Sequence, residues 1–392
     1  MTKVRVLFFT ITLIVVGVLG LFATYYARGY RFNLKTLNFQ PNGILVLKSE
    51  PDGASVYVNG ELKTATNANT SLPPGTYDVE IKKEGFFSWY KRLVIEKEIV
   101  TQASVSLFKA APSLTPITDS GVTNPVMSED GSKIVYSAGK TGLWTLDTYS
   151  LPLGFTSGPK NIADGDMTDA SYIFSPDGKQ LLLTVSEGIF LIDTASFTSQ
   201  NQRVNVAAKK TEILAEWKEK KEIKNQNLLK NLPPDLTNIL NRKVSAFVFS
   251  PDNNMILYTA STSAILSKNL IPQLPGASTQ KEERNIEAGR TYVYDIKEDR
   301  NFMIADKPVT INNIDSTDKV AVRWISTSKH LLLADSSEVS VMEYDATNRQ
   351  VIYSGSYLAP SAFPYSNTTK FLILTNLGAI SSNLNLYTLT VK

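Results

Sequence analysis

The chain has 392 residues, 40 Lys+Arg against 37 Asp+Glu, a formal charge of +3, one histidine and no cysteine. The near-balance of charge argues against the basic stripe that nucleic-acid binding requires. Without cysteine there is no disulfide, thiolate nucleophile or Cys-ligated zinc, and the lone His330 rules out a multi-histidine metal site.

From Val6 to Ala27 no residue is charged, and the run matches the ~20 residues that carry a helix through a bilayer core. Tyr25 and Tyr26 fall at its end, where amphipathic rings favour the membrane interface. A cleaved signal peptide would carry a shorter apolar core, ~7–15 residues, ending in small residues before the cut. Here the run is longer, and Tyr25 takes the place of the small residue three positions before a cut after Ala27. The expectation is an uncleaved single-pass anchor within residues 1–35 that enters the lipid bilayer from Val6 to Ala27. Lys3 and Arg5 precede it, and Arg28, Arg31 and Lys35 follow, so charge alone leaves the orientation open. Long C-terminal domains cross largely regardless of flanking charge, which places the bulk of the chain outside the cell membrane.

Residues 40–108 change to short alternating strands. The run SVYV ends in Asn59-Gly60, a strong hairpin signal because both central residues of a type I′ turn need positive φ. Leu72-Pro73-Pro74-Gly75 makes another turn, and the strand after it sets Tyr77, Val79 and Ile81 on one face. Pro51-Asp52-Gly53-Ala54, the VYVNG hairpin, LPPGTY and GFFSW follow in an order that resembles the PEGA domain. The usual Gly-x-Thr-Pro turn is missing from residues 63–70. The resemblance implies a small extracytoplasmic β-sandwich with a spacer or binding role and no catalysis. Phe86, Phe87, Trp89 and Tyr90 could form a platform for stacking on sugar rings; alternatively, alternate members fill the small core.

Residues 109–121 read as a linker rich in Pro, Ser and Thr. Beyond it, five turn motifs begin at Ser128, Ser175, Ser250, Ile325 and Ser366, and each runs into an apolar strand (KIVYS, QLLLT, MILYT, HLLLA, FLILT). Pro and Asp in the turn preset its backbone, and Gly tolerates the exit. The first and last intervals, 47 and 41 residues, fit the ~40–50 residues of a four-stranded propeller blade. The two intervals of 75 residues each need an insertion, at 207–242 (charged, helical up to Pro233-Pro234) and at 266–290 (a polar loop). The repeat resembles that of TolB-like propellers, which implies mostly protein-binding or scaffolding work. The last repeat ends after its third strand, so the stretch from Leu114 to Thr118 is expected to supply the fourth and remove an open edge.

The expected fold is therefore mainly β: an N-terminal transmembrane helix, a small PEGA-like β-sandwich, and a β-propeller of about five four-stranded blades at 122–392 carrying a helical insertion. No Gly-x-Ser-x-Gly elbow is present. His330 sits in a slot that other repeats fill with Lys133, Gln180, Met255 and Phe371, which favours a structural or solvent-facing side chain. Asp164, Asp166 and Asp169 are out of order for an EF-hand and lack its terminal Glu. No catalytic residue, cofactor or metal site is assigned. In the helical insertion, Trp217 and its apolar neighbours either dock a partner or cover a blade edge of the same chain. The functional expectation is a non-catalytic, membrane-anchored envelope protein whose propeller binds a protein or cell-wall glycan. The competing class is a propeller-type hydrolase or lyase using acidic residues of a central funnel.

Overall fold

A computed structural model describes residues 2–27, 29–33, 38–149, 158–272, 279–311, 320–378 and 383–392. The apolar run forms helix α1, Thr2–Ala27, of 26 residues, about 39 Å long at 1.5 Å per residue. That exceeds the ~30 Å of a bilayer's hydrocarbon core. Its side chains from Lys3 to Ala27 are all exposed. The hydroxyls of Thr10, Thr12 and Thr24 donate back to the carbonyls of Val6, Phe8 and Gly20 at 2.8–2.9 Å, so the polar atoms within the apolar surface are satisfied by the helix itself. A short hairpin, Tyr30–Asn33 with Asn38–Pro41, follows.

Two sheets then enclose a core. In one, Gly43–Glu50 is central, with Ala68–Leu72 antiparallel on one side and Val100–Ser106 parallel on the other. The other orders Glu61–Ala65, Ser55–Val58, Gly75–Lys82 and Trp89–Ile95. Alternation turns Leu45, Leu47, Val56, Val79 and Ile81 inward, each fully buried, as the period of two requires. Asn59 and Gly60 take positive φ of 50° and 81°, and the Asn59 side chain accepts the Asp78 amide at 2.9 Å. Thr66, within the stretch that lacks the usual turn, is buried. Its Oγ1 lies 2.5 Å from Ser49 Oγ and accepts the Ala54 amide at 3.0 Å, which ties the two sheets together where that turn is missing.

The second compact unit takes in residues 108–273 and 281–392 and is a β-propeller of five successive sheets among the described residues. The first contains Thr123–Met127, Lys133–Ser137, Leu143–Asp147 and Lys160–Ala163 in chain order. The third contains Val244–Phe249, Met255–Ala260, Thr291–Asp295 and Arg300–Ala305. The last is completed from the other end of the unit: Ser113–Pro116 pairs antiparallel with Asn385–Thr390, Leu114 facing Leu389. Lys109 N donates to Val391 O at 2.8 Å and Ile117 N to Leu386 O at 2.8 Å, extending the seam both ways.

Two sheets depart from the expected four strands. The second has three, Ser171–Phe174, Gln180–Val185 and Gly188–Asp193. In the place of a fourth, Asn205 makes a single bridge to Phe190 and Val206 N donates to Ile189 O before the chain turns into the helices. The fourth has five, because Thr310–Ile311 adds parallel to Ala321–Trp324. The insertion expected as a polar loop also carries structure: Ala264–Ile265 pairs with Asn285–Ile286, and Leu266 and Ile286 are buried.

A common turn opens the repeats. In the first three, the serine hydroxyl donates to the aspartate two residues on, Ser128–Asp130 at 2.6 Å, Ser175–Asp177 at 2.6 Å and Ser250–Asp252 at 2.7 Å. The same oxygen accepts the amide five residues on, from Lys133, Gln180 and Met255, at 3.0 Å in each. The fourth turn residue is left-handed at Gly131, Gly178, Asn253 and Ser328, with φ of 70°, 68°, 58° and 60°. Thr148 and Thr194, just past the third strand, donate to the carbonyls of Gly131 and Gly178.

Neighbouring sheets share cores. Val135 and Leu143 of the first pack with Leu181 and Leu183 of the second. Leu257 and Val293 of the third pack with Val322 and Leu331 of the fourth, and Leu372 and Leu374 of the last with Ile134 and Tyr136 of the first. The remaining face of the third sheet is different. Ile256, Tyr258, Tyr292 and Tyr294 pack on Leu229 at the end of α2 (Lys210–Leu229) and on Leu236, Ile239 and Leu240 of α3 (Pro234–Arg242), with no residue of the second sheet in that cluster. Pro234 is the first residue of α3, where a missing N–H costs nothing and fixed φ suits the helix. The first helix ends at Leu229, short of Pro233, and the prolines start a second helix.

Gly178→Ala is expected to lower stability by about 1–2 kcal/mol, the cost of a left-handed Cβ, because the new methyl itself makes only ordinary contacts, with Ser128 Cβ at 3.5 Å and the Asp130 carboxylate at 3.7 and 3.9 Å. Thermal or urea unfolding would read the loss. Leu240→Ala, removing a side chain only 2 % exposed, should cost about 2–5 kcal/mol in the same assay. Ile223→Ala on α2, 54 % exposed, should stay within about 0.5 kcal/mol of wild type.

Candidate functional site

A cavity of about 320 Å³ opens among the first, third, fourth and fifth sheets and α2. Phe247 and Phe249 form one wall, their rings edge to face with centroids 6.1 Å apart. Trp324 and Leu228 add apolar surface, and Lys224 and Arg323 bring positive charge. Trp324 donates a long, 3.5 Å hydrogen bond from Nε1 to Val248 O. Arg323 is buried; its Nη1 donates to Ala362 O at 3.0 Å and Pro360 O at 3.3 Å, and the guanidinium stacks 4.8 Å from the Phe363 ring centre. Burial pulls it down to about 10, so it stays charged at neutral pH.

The acidic groups of this cavity are engaged within the fold. Glu129 pairs with Lys221 at 3.5 Å. Asp130 Oδ1 accepts Ser128 Oγ, the Ser132 amide and Ser132 Oγ at 2.6, 3.0 and 2.8 Å. Its burial would raise the carboxyl, but the bonds from Ser128 and Ser132 outweigh that and hold it below the usual range. Lys224 makes no ion pair among the described residues. Of these carboxylates, Asp130 is engaged in the hydrogen bonds of its turn and Glu129 in an ion pair.

Of the residues expected to form a binding surface, two are not on the surface. Trp89, 4 % exposed, stands across from Ile81 on the inward face of its strand. Trp217, 7 % exposed, lies on the buried stripe of α2 with half-buried Leu214 and Leu228 at helical spacing. The helix thus buries its apolar stripe within its own chain. Phe86 packs partly against the sandwich core, Phe87 is half-buried and Tyr90 is 50 % exposed. The Tyr90 hydroxyl bonds Asp78, which Arg92 also grips through Nε at 2.6 Å and Nη2 at 3.0 Å. The Arg92 and Tyr90 bonds hold the Asp78 carboxyl below its usual range.

His330 is buried, its Nδ1 3.0 Å from Thr327 Oγ1 and its ring edge-on to Phe108 at 5.4 Å. Asp164 accepts the Gln200 amide at 2.6 Å and pairs with Arg203 at 3.1 Å, and Asp166 caps the Thr168 amide at 3.0 Å. Among the described residues no cluster of His, Asp or Glu is arranged to hold a metal ion. A buried ion pair, Arg284 to Asp299 at 3.3 Å, is also structural: Asp299 accepts the Tyr294 hydroxyl at 2.6 Å and the Leu270 amide at 2.9 Å as well.

The cavity aromatics escaped the sequence reading, yet a signal was present. Met127, Phe249 and Trp324 each immediately precede a repeat turn, which places them at the ends of the strands that meet at the cavity.

The PEGA domain family matches residues 42–111. That segment is a PEGA domain. The surroundings of Thr66, and the burial of Trp89 within the GFFSW stretch, are features of this PEGA domain's two-sheet core. No curated protein matches the chain. Among solved structures, TolB from Acinetobacter baumannii is 14% identical with a TM-score of 0.21 and covers 80% of this chain and 59% of its own. A putative TolB from Agrobacterium tumefaciens is 12% identical with a TM-score of 0.23, covering 69% and 78%. The Cps50 (Swd1) β-propeller domain of Myceliophteria thermophila is 8% identical with a TM-score of 0.26, covering 70% and 99%. At such scores the propeller assignment stands on sheet topology alone.

The turn aspartates set a pH dependence. Hydrogen bonding from Ser175, opposed by a smaller burial effect, holds the Asp177 carboxyl below its ordinary range. At Asp252 burial raises it, but Ser250 and Asn254 bring it below. Their folded-state values lie under the unfolded ~3.9, so their stabilisation is present above about pH 4 and is lost as pH falls through the depressed values. Melting temperature should drop as pH falls below about 4, and Asp177→Asn should flatten that drop.

Proposed function

We propose that this is a membrane-anchored extracytoplasmic envelope protein, with α1 as an uncleaved tether, the PEGA domain as spacer or cell-wall contact, and the propeller as a non-catalytic binding scaffold. The observation that carries the reading is α1: 25 residues from Lys3 to Ala27, long and apolar enough to cross a membrane, with none of that surface buried. Left in water, an apolar surface of that size would drive association or aggregation; a bilayer satisfies it. The scaffold role is supported by the carboxylates around the cavity, which are committed to turns and ion pairs.

Expressed in a bacterial host, the full chain should stay with the membrane after a carbonate wash. Protease added outside spheroplasts should digest its C-terminal domains. Release by the wash, or a mature N-terminus after Ala27, would refute the tether.

A further inference from the structure

We propose that the PEGA domain is seated in the membrane interface as well as tethered to it. The exposed side chains of Ile44 and Val100, at the end of the domain that joins α1, enter the headgroup layer of the same bilayer. The assignment rests on the tether reading and extends it from the helix to the domain.

Three observations converge on it. The first is attachment. Gly29, just past α1, takes a positive φ of 88°, and its carbonyl accepts the Asn42 amide at 3.3 Å. Asn42 O in turn accepts the Glu98 amide at 3.0 Å. The Tyr30 hydroxyl donates to Glu98 Oε1 at 2.7 Å, and the Tyr30 ring stands edge to face with Tyr25 of α1, centroids 5.2 Å apart. The helix end is thus bonded to the start of Gly43–Glu50 and to the turn that leads into Val100–Ser106.

The second is reach. A helix of ~39 Å that fills a hydrocarbon core of ~30 Å ends at most ~9 Å outside it, and the headgroup layer is ~5–7 Å deep on each side. Ile44 follows Asn42 by two residues, ~6.6 Å of strand. The third is polarity. On the outward face of this sheet, register places Ile44 beside Val100, Val46 beside Gln102, Lys48 beside Ser104 and Glu50 beside Ser106. Ile44 and Val100 are 38 % and 57 % exposed. Apolar side chains therefore occupy the end next to α1, and charge and hydroxyls take over ~13 Å further along. Aliphatic side chains offer a wall glycan neither a ring to stack on nor a hydrogen bond, whereas lipid accepts them. The adjoining turn carries Glu96 and Glu98 beside Lys97, so the contact is assigned to apolar burial and needs no anionic lipid.

The chain has no cysteine, so a single introduced cysteine takes a fluorophore without competition. The full chain, labelled at Val100→Cys, at Ser104→Cys or, within α1, at Leu21→Cys, is reconstituted in phosphatidylcholine vesicles. Quenching is read against a lipid that carries a nitroxide high on its acyl chain. Leu21→Cys reports the tether and should be quenched. Val100→Cys should be quenched roughly threefold more than Ser104→Cys, which stands ~13 Å further along the strand. Adding Ile44→Asn to Val100→Cys should cut that quenching by about half, because it withdraws a neighbouring apolar side chain from the contact. Unchanged melting temperatures would show that the variants fold. With Leu21→Cys quenched, equal quenching at Val100→Cys and Ser104→Cys would overturn this proposal and leave the tether standing. Self-quenching between labelled Val100→Cys chains without lipid quenching would overturn it in favour of a second copy of the chain. An unquenched Leu21→Cys would end the tether reading, and this proposal with it.

Discussion

The ring depends on one antiparallel pairing, Ser113–Pro116 against Asn385–Thr390. A meander of sheets has two ends, and each end carries unpaired backbone that either draws in foreign strands or must be covered. Here both ends are consumed at once. The last sheet takes its outer strand from the start of the unit, and its core runs on into the first sheet through Leu372, Leu374, Ile134 and Tyr136. Packing and hydrogen bonding therefore close the same seam. Lys109 and Ile117 add main-chain bonds on either side of it, so the closure is longer than the four residues of its named strand.

Between the second and third sheets the chain solves the packing problem differently. The third sheet's free face would be a large aromatic surface of Tyr258, Tyr292 and Tyr294. Helices α2 and α3 cover it, which explains why so charged an insertion carries Leu229, Leu236, Ile239 and Leu240. The same helix then supplies Lys224 and Leu228 to the cavity. One insertion thus fills a gap in the core and furnishes part of the wall of the candidate site.

Much of this was legible because turns carry strong chemistry. Asn59-Gly60 and the Ser-Pro-Asp-Gly turn at Ser175 need positive φ or a serine–aspartate bond, and few residues supply these. The degenerate repeat at Ile325 was harder: Ser328 holds the left-handed position without glycine, and Thr327 bonds His330 where an aspartate would stand. The missing strand of the second sheet was not legible, because residues 194–206 show no alternation that separates a strand from a draped segment. Helical spacing predicted a stripe through Trp217 but could not say which surface it meets. The cavity was hidden for a related reason: Met127, Phe249 and Trp324 are far apart in the chain, and only the closing of the ring brings them to one place.

The closing seam also sets an order of events. Ser113–Pro116 is made long before its partner, Asn385–Thr390, so the ring stays open through the synthesis of every sheet between them. Contacts this distant in sequence slow folding, since the loop entropy must be overcome before they form. A polypeptide that closes late stays threadable until its last strand is made, as the proposed extracytoplasmic placement requires. Export ahead of ring closure is thus compatible with the topology.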